Sequence, residues 1–343
     1  MPNSPLDNLL PLLQRLDQRL EYAIALTKIT HQESTDTDSY RGLHVNSEDA
    51  RRSLSNPPGV PLFYPNAKTE LPSDFIPADS RLAQLQQQFE LSDFDLEIIA
   101  IALAPELDRR YDAIYAYLQD DIRCKLPSVD LALNLLCPHA ADKLAKRIHF
   151  ASESPLIRHN LLHLVPDSTS AKSTLLAREF YLDNQIVRFL LAQPGIDERL
   201  APYCQLIHPT ISLINLSLTP ELKQGFKTLL SQNSQENKPL SFYFQGTDIP
   251  GKLQTAASLA GELQVPLITV NLSVIIENKN NFQPTLKLIL REAWFQKAVL
   301  YLDGLDSLYG EEQVIYYQYL IEAIAPGFGK NPDNTLAPPF NPD

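Results

Sequence analysis

The chain has 343 residues, 44% of them apolar and 20% charged, with a formal net charge of -12 and a pI of about 5.1. That length suits two or three domains, and the apolar fraction is enough for a packed core. The acidic balance supplies no bulk attraction to a phosphate backbone or an anionic membrane, which argues against nucleic acid as a main partner.

The longest apolar stretches, such as Ile98 to Pro105, are too short to cross a bilayer, so no membrane association is expected. The stretch Met1 to Leu16 contains Asp7 and has no basic region ahead of an apolar run, which predicts no signal peptide. Cys124, Cys137 and Cys204 are odd in number and lack CxxC spacing. They predict reduced, mostly buried thiols in a cytoplasmic protein, with no zinc site.

Residues 5–33 carry leucines at three- and four-residue steps (Leu6, Leu9, Leu10, Leu13, Leu16, Leu20), which predicts a helical arm over 1–33. Residues 34–53 are polar and predict a linker, and Pro57, Pro58, Pro61 and Pro65 predict an extended segment, giving a connecting region over 34–77. From residue 78 short helices follow one another. Ser92 with Asp95 predicts a capping box, and the helix behind it should bury Phe94, Ile98, Ile99 and Ile101 and stop by Pro105. Asp108 predicts a cap for Arg109–Leu118, Pro127 and Ser128 open a helix ending at Pro138, and another helix covers about 139–148. Phe180–Leu182 suits a strand, and Asn184 opens a helix through Leu190. Short helices followed by strand signals suit a mainly α, winged-helix-like domain over 78–204.

Beyond Pro202 the pattern changes. Residues 220–230 predict a helix, 231–239 an unstructured spacer, and Leu240–Phe244 a short strand. Helix Lys252–Leu263, strand Leu267–Asn271, helix Pro284–Phe295, strand Ala298–Asp303 and helix Glu311–Ile324 then alternate, which predicts an α/β domain with a parallel sheet over 205–327, and a tail over 328–343.

Gly246-Thr247-Asp248-Ile249-Pro250-Gly251-Lys252 matches the first seven positions of G-x-x-x-x-G-K-[ST], between a predicted strand and a predicted helix. In that motif Gly246 permits a sharp turn, Gly251 lets backbone N–H groups close round phosphates, and Lys252 supplies a full charge. Leu253 stands where a Ser or Thr oxygen would hold Mg2+, and Asp248 brings a negative charge toward the phosphates. Asp303 ends a hydrophobic strand, where an acid steadies a nucleotide's metal ion, and residue 304 is glycine rather than a water-polarising glutamate. ATP is the ligand this pattern points to, Mg2+ is disfavoured, and efficient hydrolysis is not expected.

GTDIPGKLQTAASLAGEL (residues 246–263) and VLYLDGLDSL (residues 299–308) resemble the phosphate-loop helix and second acidic motif of AAA ATPases. LSDFDLEIIAIALAPELDRRYDAIYAYLQDD (residues 91–121) and PSVDLALNLLCP (residues 127–138) resemble the N-terminal region of a bacterial group of large ATPases, in which a winged-helix-like region precedes a degenerate ATPase module and then a complete one. The resemblance spans about residues 80–325. It implies a P-loop domain of AAA type with an incomplete parallel sheet, nucleotide contacts at Gly246–Leu253, and Asp303 as metal-coordinating acid. It also implies a protein partner, either a complementary ATPase chain or like subunits. Leu253 and Gly304 fit the degenerate module. The family's sheet order, 5-1-4-3-2, would leave Leu240–Phe244 without neighbours.

Overall fold

A computed structural model describes residues 5–32, 51, 54–55, 57–63, 76–165, 174–236, 240–278, 281–310 and 313–324. Most of the expected 34–53 linker and the whole 328–343 tail lie outside the described residues. The chain divides into two compact units, Met1–Pro194 and Gly195–Asp343.

The first unit is built around one helix. Its described helices are α1 (Leu10–Gln32), α2 (Arg81–Phe89), α3 (Asp93–Leu107), α4 (Arg110–Leu118), α5 (Val129–Leu136), α6 (Ala140–Ala145), α7 (Pro155–Arg158) and α8 (Asn184–Leu190). Two strands, β1 (Leu162–Val165) and β2 (Glu179–Leu182), form an antiparallel pair. Every residue from Asp95 to Ala104 on α3 is buried, and α3 packs against α1, α4, α5 and β2. A helix apolar all round has to be enclosed in this way.

The polar groups on α3 therefore need partners. Ser92 and Asp95 form the expected capping box, and Asp95 also meets His149 Nδ1 at 2.7 Å. Glu97, buried as well, pairs with Arg15 and, at 3.5 Å, with Arg19 of α1. Leu9, Leu12, Leu16, Leu20 and Ala23 bury the apolar stripe of the same N-terminal segment. Phe94 is only half-buried, with its ring 4.7 Å from that of His149.

Pro105 does not stop α3, which runs on to Leu107. Proline has no N–H for the carbonyl four residues back, here Ile101. The hydroxyl of the fully buried Tyr115 donates to that carbonyl at 2.8 Å, so the helix continues without an orphaned acceptor.

Ser128 caps α5 through the Leu131 N–H, and residues 137–139 turn the chain into α6, which tightens into a 3-10 helix over Lys146–Phe150. After α7 come β1 and β2, with register Leu162↔Leu182 to Val165↔Glu179. Glu179 also bridges to Ser128, ahead of α5. A helix-turn-helix followed by a hairpin, whose second strand reaches back to the segment before the helix pair, is winged-helix connectivity. Phe180 and Leu182 alternate inward along β2, and Phe180 meets Phe150 at 5.4 Å. Residues 57–63 lie against α5: the Leu62 N–H donates to Asn134 Oδ1 at 3.2 Å, and Phe63 is buried.

The second unit is a three-layer α/β arrangement. Its sheet, β3 (Cys204–Ile207), β4 (Leu267–Asn271) and β5 (Val299–Asp303), runs in that order, β3 antiparallel and β5 parallel to β4. Helix α10 (Ile249–Glu262), which follows α9 (Pro220–Glu236), packs on the face of Leu267, Val299 and Tyr301. Ile268, Val270, Leu300 and Leu302 face a core shared with α11 (Leu272–Glu277), α12 (Phe282–Gln296) and α13 (Val314–Ile324). This two-sided cover explains why β4 and β5 read as continuous apolar runs.

Several expectations need correction. The sheet is mixed rather than parallel, because the unforeseen β3 adds to it antiparallel. The 231–239 spacer is helical as far as Glu236. Leu240–Phe244 is not a strand. Phe242 and Phe244 pack on Phe226 of α9, at 5.4 and 6.4 Å, and no described strand lies beside the segment to form a ladder.

Two outcomes follow from α3. Tyr115→Phe leaves the Ile101 carbonyl buried without its donor and should cost about 1–3 kcal/mol in urea unfolding followed by circular dichroism. Burial pushes the Asp95 carboxyl up, but hydrogen bonds from His149 and Ser92 outweigh this and hold it below its ordinary value. A depressed carboxylate stabilises the fold above its unfolded pKa, about 3.9, and loses that contribution as pH falls through the folded value. Asp95→Asn should therefore destabilise at neutral pH, with the gap to wild type narrowing below about pH 4.

Candidate functional site

The motif predicted to bind nucleotide lies in the second unit, at the front of α10. Gly246 has φ +135°, a conformation suited to glycine, and residues 245–250 are exposed. Helix α10 begins at Ile249, inside the motif rather than after it, so Ile249, Pro250, Gly251 and Lys252 already form its first turn.

Hydrogen bonding in that turn decides what it can hold. The Ile249 N–H donates to the Thr247 carbonyl at 3.1 Å, and Pro250 has none. The Gly251 N–H donates to Asp248 Oδ1 at 3.0 Å, and the Lys252 N–H to the Asp248 carbonyl at 3.1 Å. Asp248 is thus the N-cap of α10, and its carboxylate stands where an anion would approach the helix end. Gly251 is explained by the same contact, because a Cβ there would overlap the Asp248 carboxylate.

Leu253, half-buried, packs against the apolar cluster of Ala256, Ala257, Ala260 and Leu267. It is a packing residue, and it offers no oxygen to a cation. Asp303 ends β5 in register with Asn271 of β4. Burial, and then the Asp303 carboxylate, push the Tyr301 phenol up. Asn271 spends its side-chain oxygen on the Val274 N–H, capping α11. Gly304 follows at φ +75°, where a Cβ would come within 2.6 Å of Ser273 Oγ. The structure therefore places Asp303 at the C-terminal end of a parallel strand and Lys252 in the first turn of the helix packed on that sheet. No hydrogen bond or ion pair joins the two.

The residues present do not fit a magnesium ion: Leu253 is apolar and packed, and Asp248 already serves as a cap. Among the described residues no group of three or more His, Cys, Asp or Glu side chains is placed to hold a metal. Burial pushes the thiols of Cys124 and Cys137 up to about 11 and that of Cys204 to about 12, so none is a thiolate nucleophile at neutral pH.

Pattern reasoning passed over a buried ionic cluster of Asp197, Arg291 and Glu292, with the exposed Arg199 at its edge. Asp197 caps a 3-10 turn, binds Arg199, and accepts from Arg291 Nη2 at 3.1 Å. Burial raises the Glu292 carboxyl, and Gln296 Nε2 donates both to Glu292 Oε1 and to the Gly195 carbonyl, each at 2.8 Å. These groups tie the segment entering β3 to α12. Their sequence separation of about ninety residues left no local signal.

The cap and the glycine should be coupled. In the wild type, Gly251→Ala expels the Asp248 carboxylate and should cost about 0.5–2 kcal/mol, the value of a lost N-cap. In an Asp248→Ala background the same change should instead stabilise by up to about 1 kcal/mol, through helix propensity alone. Thermal unfolding of the four variants reads this reversal of sign, and equal effects in both backgrounds would refute the contact.

No curated protein and no solved structure matches the chain. A family model described as "Winged helix domain, variant" matches residues 4–204, more than half of the sequence, and takes in α1 to α8 with both strands of the hairpin. No described helix is long and apolar enough to cross a membrane. With the helix-turn-helix and hairpin already traced through those residues, the chain belongs to the winged helix domain, variant family.

Proposed function

We propose that this chain is a regulatory protein-interaction module carrying a degenerate nucleotide-binding loop, and that it does not hydrolyse ATP efficiently. The observation that carries the reading is the Asp248 carboxylate on the Gly251 N–H. A phosphate reaches that donor only by displacing a like charge that is already bonded there, which weakens binding without removing the site. Lys252 keeps its place in the first turn and supplies the attraction that remains.

Loss of turnover rests on two further positions. Leu253 is apolar and packed at the edge of a cluster and Gly304 has no carboxylate, so neither metal coordination nor water activation has its usual group. The likeness to the degenerate first module of AAA-type ATPases belongs to this proposal, and with it a protein partner, either a complementary ATPase chain or like subunits. A plain adaptor without nucleotide is the second reading, favoured by the internal satisfaction of the N–H groups at 249–252.

Titration of the full chain with labelled ATP, with and without Mg2+, separates these readings. The proposal expects weak, magnesium-independent binding that tightens about tenfold in Asp248→Ala, the scale of one removed charge contact, and is lost in Lys252→Ala. It also expects no magnesium-stimulated phosphate release. No binding by either wild type or Asp248→Ala would establish the adaptor. Magnesium-dependent turnover abolished by Asp303→Asn would overturn the proposal in favour of an active ATPase.

A further inference from the structure

The second helix of the helix-turn-helix presents an apolar face to solvent. On α6 and the 3-10 turn that continues it, Ala141, Leu144, Ala145 and Ile148 are exposed, Leu144 at 63% and Ile148 at 68%. The opposite side is held down. Lys143 is buried and bonded to Asp130 and to Asn134, both at 2.7 Å, His149 is bonded to Asp95, and Phe150 is in the core. The orientation of the exposed face is thus fixed by three anchors. Leu144 and Ile148 stand with Ala141 and Ala145 in one contiguous apolar patch rather than singly, and contiguous exposed patches are where surfaces meet partners.

Charge identifies the occupant. In a chain of net charge -12, the segment from Pro138 to Phe150 has Lys143, Lys146 and Arg147 against Asp142 alone. Lys143 is spent internally, and Lys146 lies 4.8 Å above the Phe94 ring. Arg147 makes no ion pair or side-chain hydrogen bond among the described residues and borders the apolar face. A duplex reader needs hydrogen-bonding side chains on this helix, and Leu144 and Ile148 supply none. A second copy docked through the same face would offer a basic border to a basic border. An amphipathic helix inserts apolar anchors of helical spacing into such a face, and acidic flanks would meet the basic border.

We propose that Ala141, Leu144, Ala145 and Ile148, bordered by Arg147 and Lys146, dock an amphipathic helix with acidic flanks on a protein partner. This deepens the protein-interaction half of the function proposed above. It is tested without nucleotide, so the two fail separately.

The probe is a labelled helical peptide with leucines at alternating three- and four-residue steps and glutamates elsewhere, titrated against the full chain by fluorescence anisotropy. Saturable binding is expected, weakened about tenfold or more by Leu144→Ser with Ile148→Ser, and separately by Arg147→Glu. Leu144 and Ile148 are exposed and Arg147 is half-buried with no side-chain hydrogen bond or ion pair among the described residues, so unchanged melting of the variants is expected, and Arg147→Glu leaves the apolar face intact as a second reading of the same surface. A peptide with lysines in place of the glutamates should bind more weakly. Absence of saturation up to about 1 mM, or unchanged binding in both variants, overturns the proposal. So does tighter binding of a short duplex DNA than of the acidic peptide, or concentration-dependent self-association that Leu144→Ser with Ile148→Ser abolishes.

Discussion

Enclosing α3 on every side sets the terms for the rest of the first unit. Ten successive residues, Asp95 to Ala104, are out of water, and two of them are acids. A buried carboxylate without a partner is far too costly to keep, so Asp95 and Glu97 must each find one. Asp95 takes His149 from the 3-10 turn after α6, and Glu97 takes Arg15 and Arg19 from α1. The same demand reaches the backbone, where Pro105 withdraws a donor and Tyr115 of α4 replaces it. Three elements, α1 and the 3-10 turn far off in sequence and α4 next in the chain, are therefore positioned by the polar groups of one helix. Apolar packing alone would hold them less specifically, because greasy surfaces tolerate many registers.

The second unit shows a related economy at its helix ends. A helix N-terminus is a set of unsatisfied donors, and they can be met by a side chain of the protein or by a ligand. Ser80, Ser92, Ser128 and Asp183 serve as caps in the first unit, and Asp248 does so in the second. The difference at α10 is that its cap lies inside a sequence spaced for phosphate. One carboxylate fills both the capping role and the space an anion would use, and Gly251 is small enough to admit it. The glycine that the phosphate motif requires is thus equally the glycine that an Asp-x-x-Gly cap requires.

That degeneracy bears on what the sequence could reveal. Ser92 with Asp95 was legible because a capping box is local, with donor and acceptor three residues apart. Helices α4 and α5 and strands β4 and β5 were legible from period and punctuation. Helix α11 was missed because Asn271 both ends β4 and caps the next helix, with no loop residues between. Strand β3 was missed because four residues carry too little alternation, and its pairing with β4 is set by residues sixty or more positions away. Leu240–Phe244 has strand composition, yet aromatic side chains can be satisfied by Phe226 without any ladder. At the candidate site the spacing located a helix but began it at Lys252, three residues after its start at Ile249, and the orientation of the Asp248 side chain, which decides the chemistry, leaves no trace in spacing.

Leu144 and Ile148 illustrate the same limit from the other side. In sequence they are four apart, as core residues of a helix are, and nothing local separates them from Leu131 and Leu135 of α5, which are buried. What separates them is Lys143. Its ammonium is drawn inward to Asp130 and Asn134, and this turns α6 so that the residues one and five places later face out. Asn134 in turn accepts the Leu62 N–H, so the segment 57–63 is fastened to the same node that rotates the helix. The apolar face is exposed because a buried cation has a stronger claim on the interior: an ammonium bonded to a carboxylate and an amide can leave water only at this one geometry, whereas two aliphatic side chains can be covered by whatever surface arrives later.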